Sequence, residues 1–258
     1  MIVADGWQLS ALEFSVALHA LGRDRMPYPF TFRAPGSSAE EVLALRLDAG
    51  KQLAVQADGL FRTTLTLLLE PQIRVEVHGF TGPELRTPIR IHAGISGRTA
   101  VLAVQRPNSQ TASGEVTIRR CSVDTIAQRV VAELPTAAAG DRRAFTAERS
   151  ARAAAEESYV RPADEVPRSE QIDRFFRRPR TCVGEIGVFD GVAVDARATS
   201  GRTVHWFDFV GDGRYVVKGD KTKRVVPVSA ETFAAEIDTL VHPRVASDAV
   251  LGRRAEVK

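Results

Sequence analysis

Ile89–Ile95, Ser96-Gly97-Arg98-Thr99, Ala100–Gln105 and Glu115–Arg119 read as strand, turn, strand, loop and strand. The order returns farther along as Val192–Ala198, Ser200-Gly201-Arg202-Thr203, Val204–Phe209 and Arg214–Lys218. Each copy finishes in a helix opened by serine, Ser122-Val123-Asp124-Thr125 in one and Ser229-Ala230-Glu231-Thr232 in the other. Val123, Ile126, Ala127, Val130 and Leu134 match Ala230, Phe233, Ala234, Ile237 and Val241 at one constant offset, so both helices carry the same apolar stripe of 3.6-residue period. In both, Ser caps the orphan N–H groups and a carboxylate at the second helical position meets the positive end of the dipole. The joint order of strands, turn and capped helix predicts two pseudo-twofold-related halves sharing one sheet.

A chain of 258 residues is long enough for one large domain or two small ones. With 44% apolar and 26% charged residues it has the composition of an ordinary globular protein, so a real core is expected. Of the 35 basic residues, five are lysine (Lys51, Lys218, Lys221, Lys223 and Lys258) and thirty are arginine. Alongside abundant Ala, Val and Gly, that bias reads as GC-rich coding rather than as a binding requirement. Cys121 and Cys182 are too few for a disulfide framework, which implies a reducing compartment. Asp5 and Gly6 interrupt the N-terminus before a signal-peptide core forms, and no later stretch approaches the roughly 18 apolar residues of a membrane span. A cytoplasmic, soluble protein is expected.

Four regions follow. Residues 1–134 form the N-terminal half: a helix over Leu9–Leu21 capped by Ser10 and stopped by Gly22, a helix from Ser38 with Glu40 and Glu41 in its first turn, a helical piece over Arg62–Leu69 ended by Pro71, a strand through Ile73, Val75 and Val77, then the first copy. Residues 135–168 form an Ala/Arg/Glu-rich connector with a solvated helix around Phe145–Tyr159 between flexible joints. Residues 169–241 form the C-terminal half, entered through a short amphipathic helix over Glu170–Arg178, and residues 242–258 a frayed tail.

Catalytic constellations are hard to find. Gly211-Asp212-Gly213-Arg214 runs into Tyr215-Val216-Val217, so it is a hairpin turn and not a phosphate cradle, which needs a following helix. Gly94-Ile95-Ser96-Gly97 has the wrong spacing for a nucleophile elbow. His78 and His92, with Cys121, raise a zinc site, but no close-spaced ligand pair supports it. Asp190, Asp208, Asp212 and Asp220 recur where turn chemistry alone would put them. The reading is therefore no catalytic, cofactor or metal residue and no enzyme. Arg168, Arg174, Arg177, Arg178 and Arg180, interleaved with Phe175 and Phe176, keep open a nucleic-acid patch as an alternative, and an enzyme of unrecognised type is another. Both faces of Ala100–Gln105 and Val204–Phe209 are apolar, as expected of a sheet covered by helices on both sides or of one kept open for a partner.

Trp206-Phe207-Asp208-Phe209-Val210-Gly211-Asp212-Gly213-Arg214-Tyr215, followed by an apolar strand, Pro227 and a Ser-capped helix, resembles the C-terminal signature of the EspG family, cytosolic chaperones of type VII (ESX) secretion. The resemblance implies an α+β fold with a central, mainly antiparallel sheet and helical bundles beside it. It implies binding rather than catalysis, with no cofactor, the partner being the helical tip of a PE/PPE heterodimer rather than nucleic acid or membrane. On this reading Phe189, Val204, Trp206 and Phe233 are the candidate partner-binding residues.

Overall fold

A computed structural model describes residues 2–3, 6–107, 114–148, 168–193, 201–219 and 222–255. The chain runs β1 (Ile2–Val3), β2 (Gly6–Leu9), α1 (Ala11–Ala20), α2 (Ala39–Gln56), α3 (Gly59–Leu69), β3 (Ile73–Thr81), β4 (Thr87–Ser96), β5 (Thr99–Gln105), β6 (Val116–Ser122) and α4 (Ile126–Ala132). It continues with β7 (Phe145–Glu148), α5 (Arg168–Phe176), β8 (Arg180–Asp190), β9 (Gly201–Phe209), β10 (Arg214–Lys218), β11 (Thr222–Pro227) and α6 (Ala230–Ala255). The α+β class with a large antiparallel sheet is as expected.

All the strands join one sheet, in the order β1-β2-β6-β5-β4-β3-β8-β9-β10-β11-β7. Every paired neighbour is antiparallel. From β3 outward the chain meanders through β4, β5 and β6 into the Ser122-capped turn and α4; from β8 outward it meanders through β9, β10 and β11 into the Ser229-capped α6. The meanders meet edge to edge through their first strands, with Ile73 opposite Asp190 and Thr81 opposite Cys182.

That order corrects the alignment of the two copies. The first Ser-Gly-Arg-Thr joins the second and third strands of its meander, whereas Gly201, Arg202 and Thr203 lie inside β9, the second strand of the other. The expected strand Val192–Ala198 is not formed at its start: Gly191 and Val192 bend, and 194–198 fall outside the described residues. The strand that fills this place is β8, whose Gly184 and Gly187 hid its pattern. The helical offset does hold, and the stripe residues Ile126, Ala127, Val130, Phe233, Ala234 and Ile237 all lie in one core cluster.

One face of the sheet, the face under α4 and α6, buries that cluster together with Ile73, Val75 and Val77 of β3 and Ile186 and Val188 of β8. On the opposite face two separate layers lie over the two meanders. Over the first, α1 and α3 pack Phe14, Leu18, Phe61, Leu65 and Leu68 on Val101, Ala103, Val116 and Ile118. Over the second, α5 sets Phe175 on Phe209, Tyr215 and Val217. Sequence placed the starts of the first two helices well: Ser10 caps α1 in a full capping box with Glu13, Gly22 follows with φ 74°, and Ser38 caps α2; the third helix starts earlier than the expected Arg62, at Gly59 behind an Asp58 cap, so Leu60 belongs to α3 and not to α2. Two expectations fail. Phe145 begins strand β7, paired with Val225, instead of a solvated helix, because β11 offers it a free edge; 149–167 lie outside the described residues. Past Val241, where a frayed tail is expected, α6 continues through Pro243 and Gly252 to Ala255.

Trp206 has the most constrained seat in the core. Its indole lies across a slot on the face under α6, where Gly79 of β3 faces Gly184 of β8 and Gly184 faces Trp206 of β9. A Cβ at Gly184 would stand 2.2 Å from the indole, and one at Gly79 would stand 2.9 Å from it. The indole N–H donates to Cys182 Sγ at 3.3 Å, and Phe233 of α6 closes the slot with ring centroids 6.3 Å apart. Trp206→Ala should therefore destabilise the chain by about 3–5 kcal/mol through the cavity left behind. Gly184→Val should destabilise it by about 1–3 kcal/mol through overpacking. Urea midpoints at constant m-value measure both.

Candidate protein-binding face

The signature residues Trp206–Tyr215 span β9, a tight turn and the start of β10, and their polar members work as a clamp. Asp208 and Arg214 face each other across the hairpin, and Arg214 Nε and Nη2 each donate to the Asp208 carboxylate at 2.7 Å. Both side chains are almost completely buried, so the pair is matched and bidentate where an unpaired charge would be very costly. The same Arg214 Nη2 donates to the Pro135 carbonyl at 2.7 Å. Its backbone N–H donates to the Ala138 carbonyl at 2.8 Å, while the Gly140 N–H donates to the Arg214 carbonyl at 3.1 Å.

In the turn, Asp212 accepts from the Asp141 N–H at 2.7 Å, from Arg178 at 2.6 Å and from the Tyr215 hydroxyl at 3.0 Å. Burial alone would raise its carboxyl, but those donors hold it below the ordinary aspartate value. The segment 135–142 is thus strapped across the hairpin. Asp208 corrects the expectation that it is a turn aspartate: it sits in a strand and pairs with an arginine six residues on. Asp212 is in the turn, as expected.

The clamp is carried by a chain matched almost throughout: the profile described as EspG family covers residues 10–253. The chain belongs to the EspG family. That family is one of ESX secretion chaperones. No curated protein gives a significant match.

In this EspG chain the four sequence-chosen contact residues are split between the two faces. Val204 and Trp206 of β9 and Phe233 of α6 are buried between the sheet and α6 and give almost no area to a partner in this arrangement. They were legible as apolar but not as inward-facing, because the face of β9 is fixed only by its register with β8. Phe189 lies on the opposite face, half-buried, with the Arg74 guanidinium 4.7 Å above its ring.

Among the described residues neither helical layer covers the strip of that opposite face along the β3–β8 seam, between the α1–α3 layer and α5. Two cross-strand rows define it. Phe80, Val183 and Phe207 align in the first; Arg90, His78, Glu185 and His205 align in the second. Phe80 is 39% exposed, and Tyr28, from the loop after α1, is 47% exposed beside it with its ring 5.7 Å from His78. The strip is aromatic in the middle and titratable along one row. Burial lowers the His78 pKa and raises that of Glu76, while burial and the neighbouring Glu185 carboxylate raise that of Tyr28. Sequence reasoning missed Tyr28, Phe80, Val183 and Phe207. The available signal was the alternation of His78 and Phe80 against Val75 and Val77, unusable without knowing that β8 lies alongside.

His78 and His92 lie on neighbouring strands but diagonally, His78 facing Arg90 and His92 facing Glu76. Among the described residues no three His, Cys, Asp or Glu side chains are grouped to hold a metal. The basic cluster turns partly inward: Arg178 stacks on Phe209 at 4.5 Å while bonded to Asp212, and Arg180 stacks on Phe207 at 4.8 Å while donating to the Phe176 carbonyl. No described helix is long and apolar enough to cross a membrane.

Breaking the clamp on one side should cost more than removing it whole. Arg214→Ala leaves Asp208 charged and buried and should destabilise the chain by about 3–5 kcal/mol, whereas Asp208→Leu with Arg214→Met should recover most of that in thermal or urea unfolding. A second expectation concerns acid. His92 is fully enclosed, its Nδ1–H donating to the Tyr28 carbonyl at 2.7 Å, and burial pushes its pKa down to about 4. The unfolded chain takes up this proton near pH 6.5 and the folded chain only near 4, so stability falls as pH drops through that window, by up to about 3 kcal/mol. His92→Gln should flatten this part of the stability–pH curve.

Proposed function

We propose that the chain is a cytoplasmic chaperone that binds PE/PPE-type heterodimeric substrates and keeps them soluble for ESX export, gripping them on the open aromatic strip along the β3–β8 seam. Family membership supports the class of activity. The observation that carries the location is Phe80 and Tyr28, both exposed and both in edge contact with His78, in line with the half-buried Val183 on a strip that no helical layer covers among the described residues, with Phe207 at its edge against Phe176 of α5. Phe189 sits at one end of the same face and stays in the proposed surface. Val204, Trp206 and Phe233 act by holding the strip flat from beneath. In the same reading, residues 1–134 and 169–241 work as two halves that meet at the grip.

A helical tip laid on the strip would bury aromatic edges in the centre and leave Glu185 and His205 at the rim, the distribution of a standard protein interface.

The test is co-expression with a PE/PPE-type heterodimer and size-exclusion chromatography. The expected result is a 1:1:1 complex that Phe80→Glu with Val183→Glu weakens at least about tenfold, with the melting temperature of the free chain nearly unchanged. Trp206→Ala should lower melting temperature and capture together. Undiminished capture by the double variant would move the grip elsewhere.

A further inference from the structure

Tyr28, the most exposed aromatic of the strip, stands on the link between α1 and α2, outside any helix or strand. Two side chains of the sheet beneath, both almost completely buried, fasten that link in place. His92 of β4 donates from Nδ1 to the Tyr28 carbonyl at 2.7 Å. Gln105 of β5 holds Thr31 at two points, its Oε1 accepting from the Thr31 N–H at 2.9 Å and its Nε2 donating to the Thr31 carbonyl at 2.8 Å. Between the two pins Pro29 and Phe30 are buried, and the Phe30 ring meets Phe14 and His92 edge-on, with centroids 5.9 and 6.3 Å away.

Neither pin is placed there by the core. On this face β5 runs Val101, Ala103, Gln105, and the first two pack in the apolar layer under α1 and α3, where a third apolar residue would continue the alternation. His92 faces Ala103 from β4, in the same setting. A buried amide or imidazole adds less to stability than an apolar side chain of its size unless its polar atoms are matched, and both of these find a match in the backbone of the link. Thr31 is itself exposed, so the bonds from Gln105 fix where the link lies more than they rescue a stranded backbone group.

Beyond the pins, the Tyr28 side chain crosses the seam. Its ring meets the His78 ring of β3 edge-on at 5.7 Å, and its hydroxyl is hydrogen-bonded to Glu185 of β8. The carbonyl is held from β4 and the hydroxyl from β8, so both ends of the residue are fixed while 47% of it stays open to solvent.

We propose that His92 and Gln105 are positioning residues for the strip, setting the Tyr28–Thr31 backbone so that Tyr28 spans β3 and β8 before a partner arrives. The role rests on the proposed grip of a PE/PPE-type tip at this strip. An aromatic anchor ordered in advance loses little freedom on docking, whereas one on a loose link must be ordered at that moment, and the difference appears in affinity without any new contact. His92 and Gln105 act through Tyr28 and touch no partner themselves.

Titration calorimetry against a PE/PPE-type heterodimer, with the melting temperature of every variant, reads the role. Tyr28→Ala should weaken binding at least about tenfold. His92→Leu with Gln105→Met, which exchanges both pins for apolar side chains, should weaken it roughly three- to tenfold. Because that loss passes through Tyr28, the triple variant should bind no more weakly than Tyr28→Ala, whereas independent losses would multiply. His92→Asn, which keeps a donor near the place of Nδ1, should bind better than His92→Leu. Gln105→Met alone carries the same cycle if the double variant does not fold. A readout free of any partner is the ring signal of Tyr28 in carbon–proton NMR of the tyrosine-labelled chain, identified by Tyr28→Phe. Gln105→Met should move that signal toward the position of an unstructured tyrosine and leave the buried Tyr215 in place. A Tyr28 signal that does not move overturns the proposal. Heterodimer captured with losses that multiply overturns the role alone, whereas a wild type that captures no heterodimer overturns the grip and the role together.

Discussion

The antiparallel pairing of β3 with β8 is the constraint on which the rest of the molecule depends. It is the one place where the two meanders touch through their sheet, nine residue pairs from Ile73–Asp190 to Thr81–Cys182. On one side it aligns Val75 with Val188 and Val77 with Ile186, giving α4 and α6 a continuous apolar floor. It also sets Gly79 beside Gly184, without which the Trp206 indole has no slot. On the other side it brings Phe80 beside Val183 and His78 beside Glu185, and neither helical layer reaches across them. Core and open strip are two faces of one register, and a slip by one residue would exchange them.

The stretch Trp206–Tyr215 therefore has an architectural role. Trp206 seals the core beneath the seam, Asp208 and Arg214 close the hairpin, and Asp212 with Tyr215 fixes residues 141 and 142. These residues are polar or aromatic in a stretch that would otherwise read as a plain hairpin, which makes them visible in a sequence. Their burial is why they do not name the partner. Surface residues such as Tyr28 and Phe80 carry no comparable mark.

Local rules were legible and long-range pairing was not. Ser10, Ser38, Ser122 and Ser229 announced helix starts because a cap is decided within four residues. The stripes of α4 and α6 were legible because an amphipathic helix carries its own period. The strand β8 escaped because Gly184 and Gly187 remove side chains where β9 and β3 crowd in, and the repeated Ser-Gly-Arg-Thr misled because a generic turn can be reused at unrelated places. Once β8 was missing, no argument could decide which way Val204, Trp206 or Phe189 points. Residues 145–148 followed the free edge of β11 rather than their own preference, a choice made by the sheet.

The separation of the seam strands along the chain has a consequence during synthesis. Between Thr81 and Cys182, the first residue pair to close at that end, about a hundred residues must be added, which at 5–20 residues per second takes about 5–20 s. Throughout that interval the emerging first meander has β4 on one flank of β3 and nothing on the other, an uncapped edge able to recruit a stray strand from a neighbouring nascent chain. A member of a chaperone family thus passes, on its own ribosome, through a stage at which it needs protection itself.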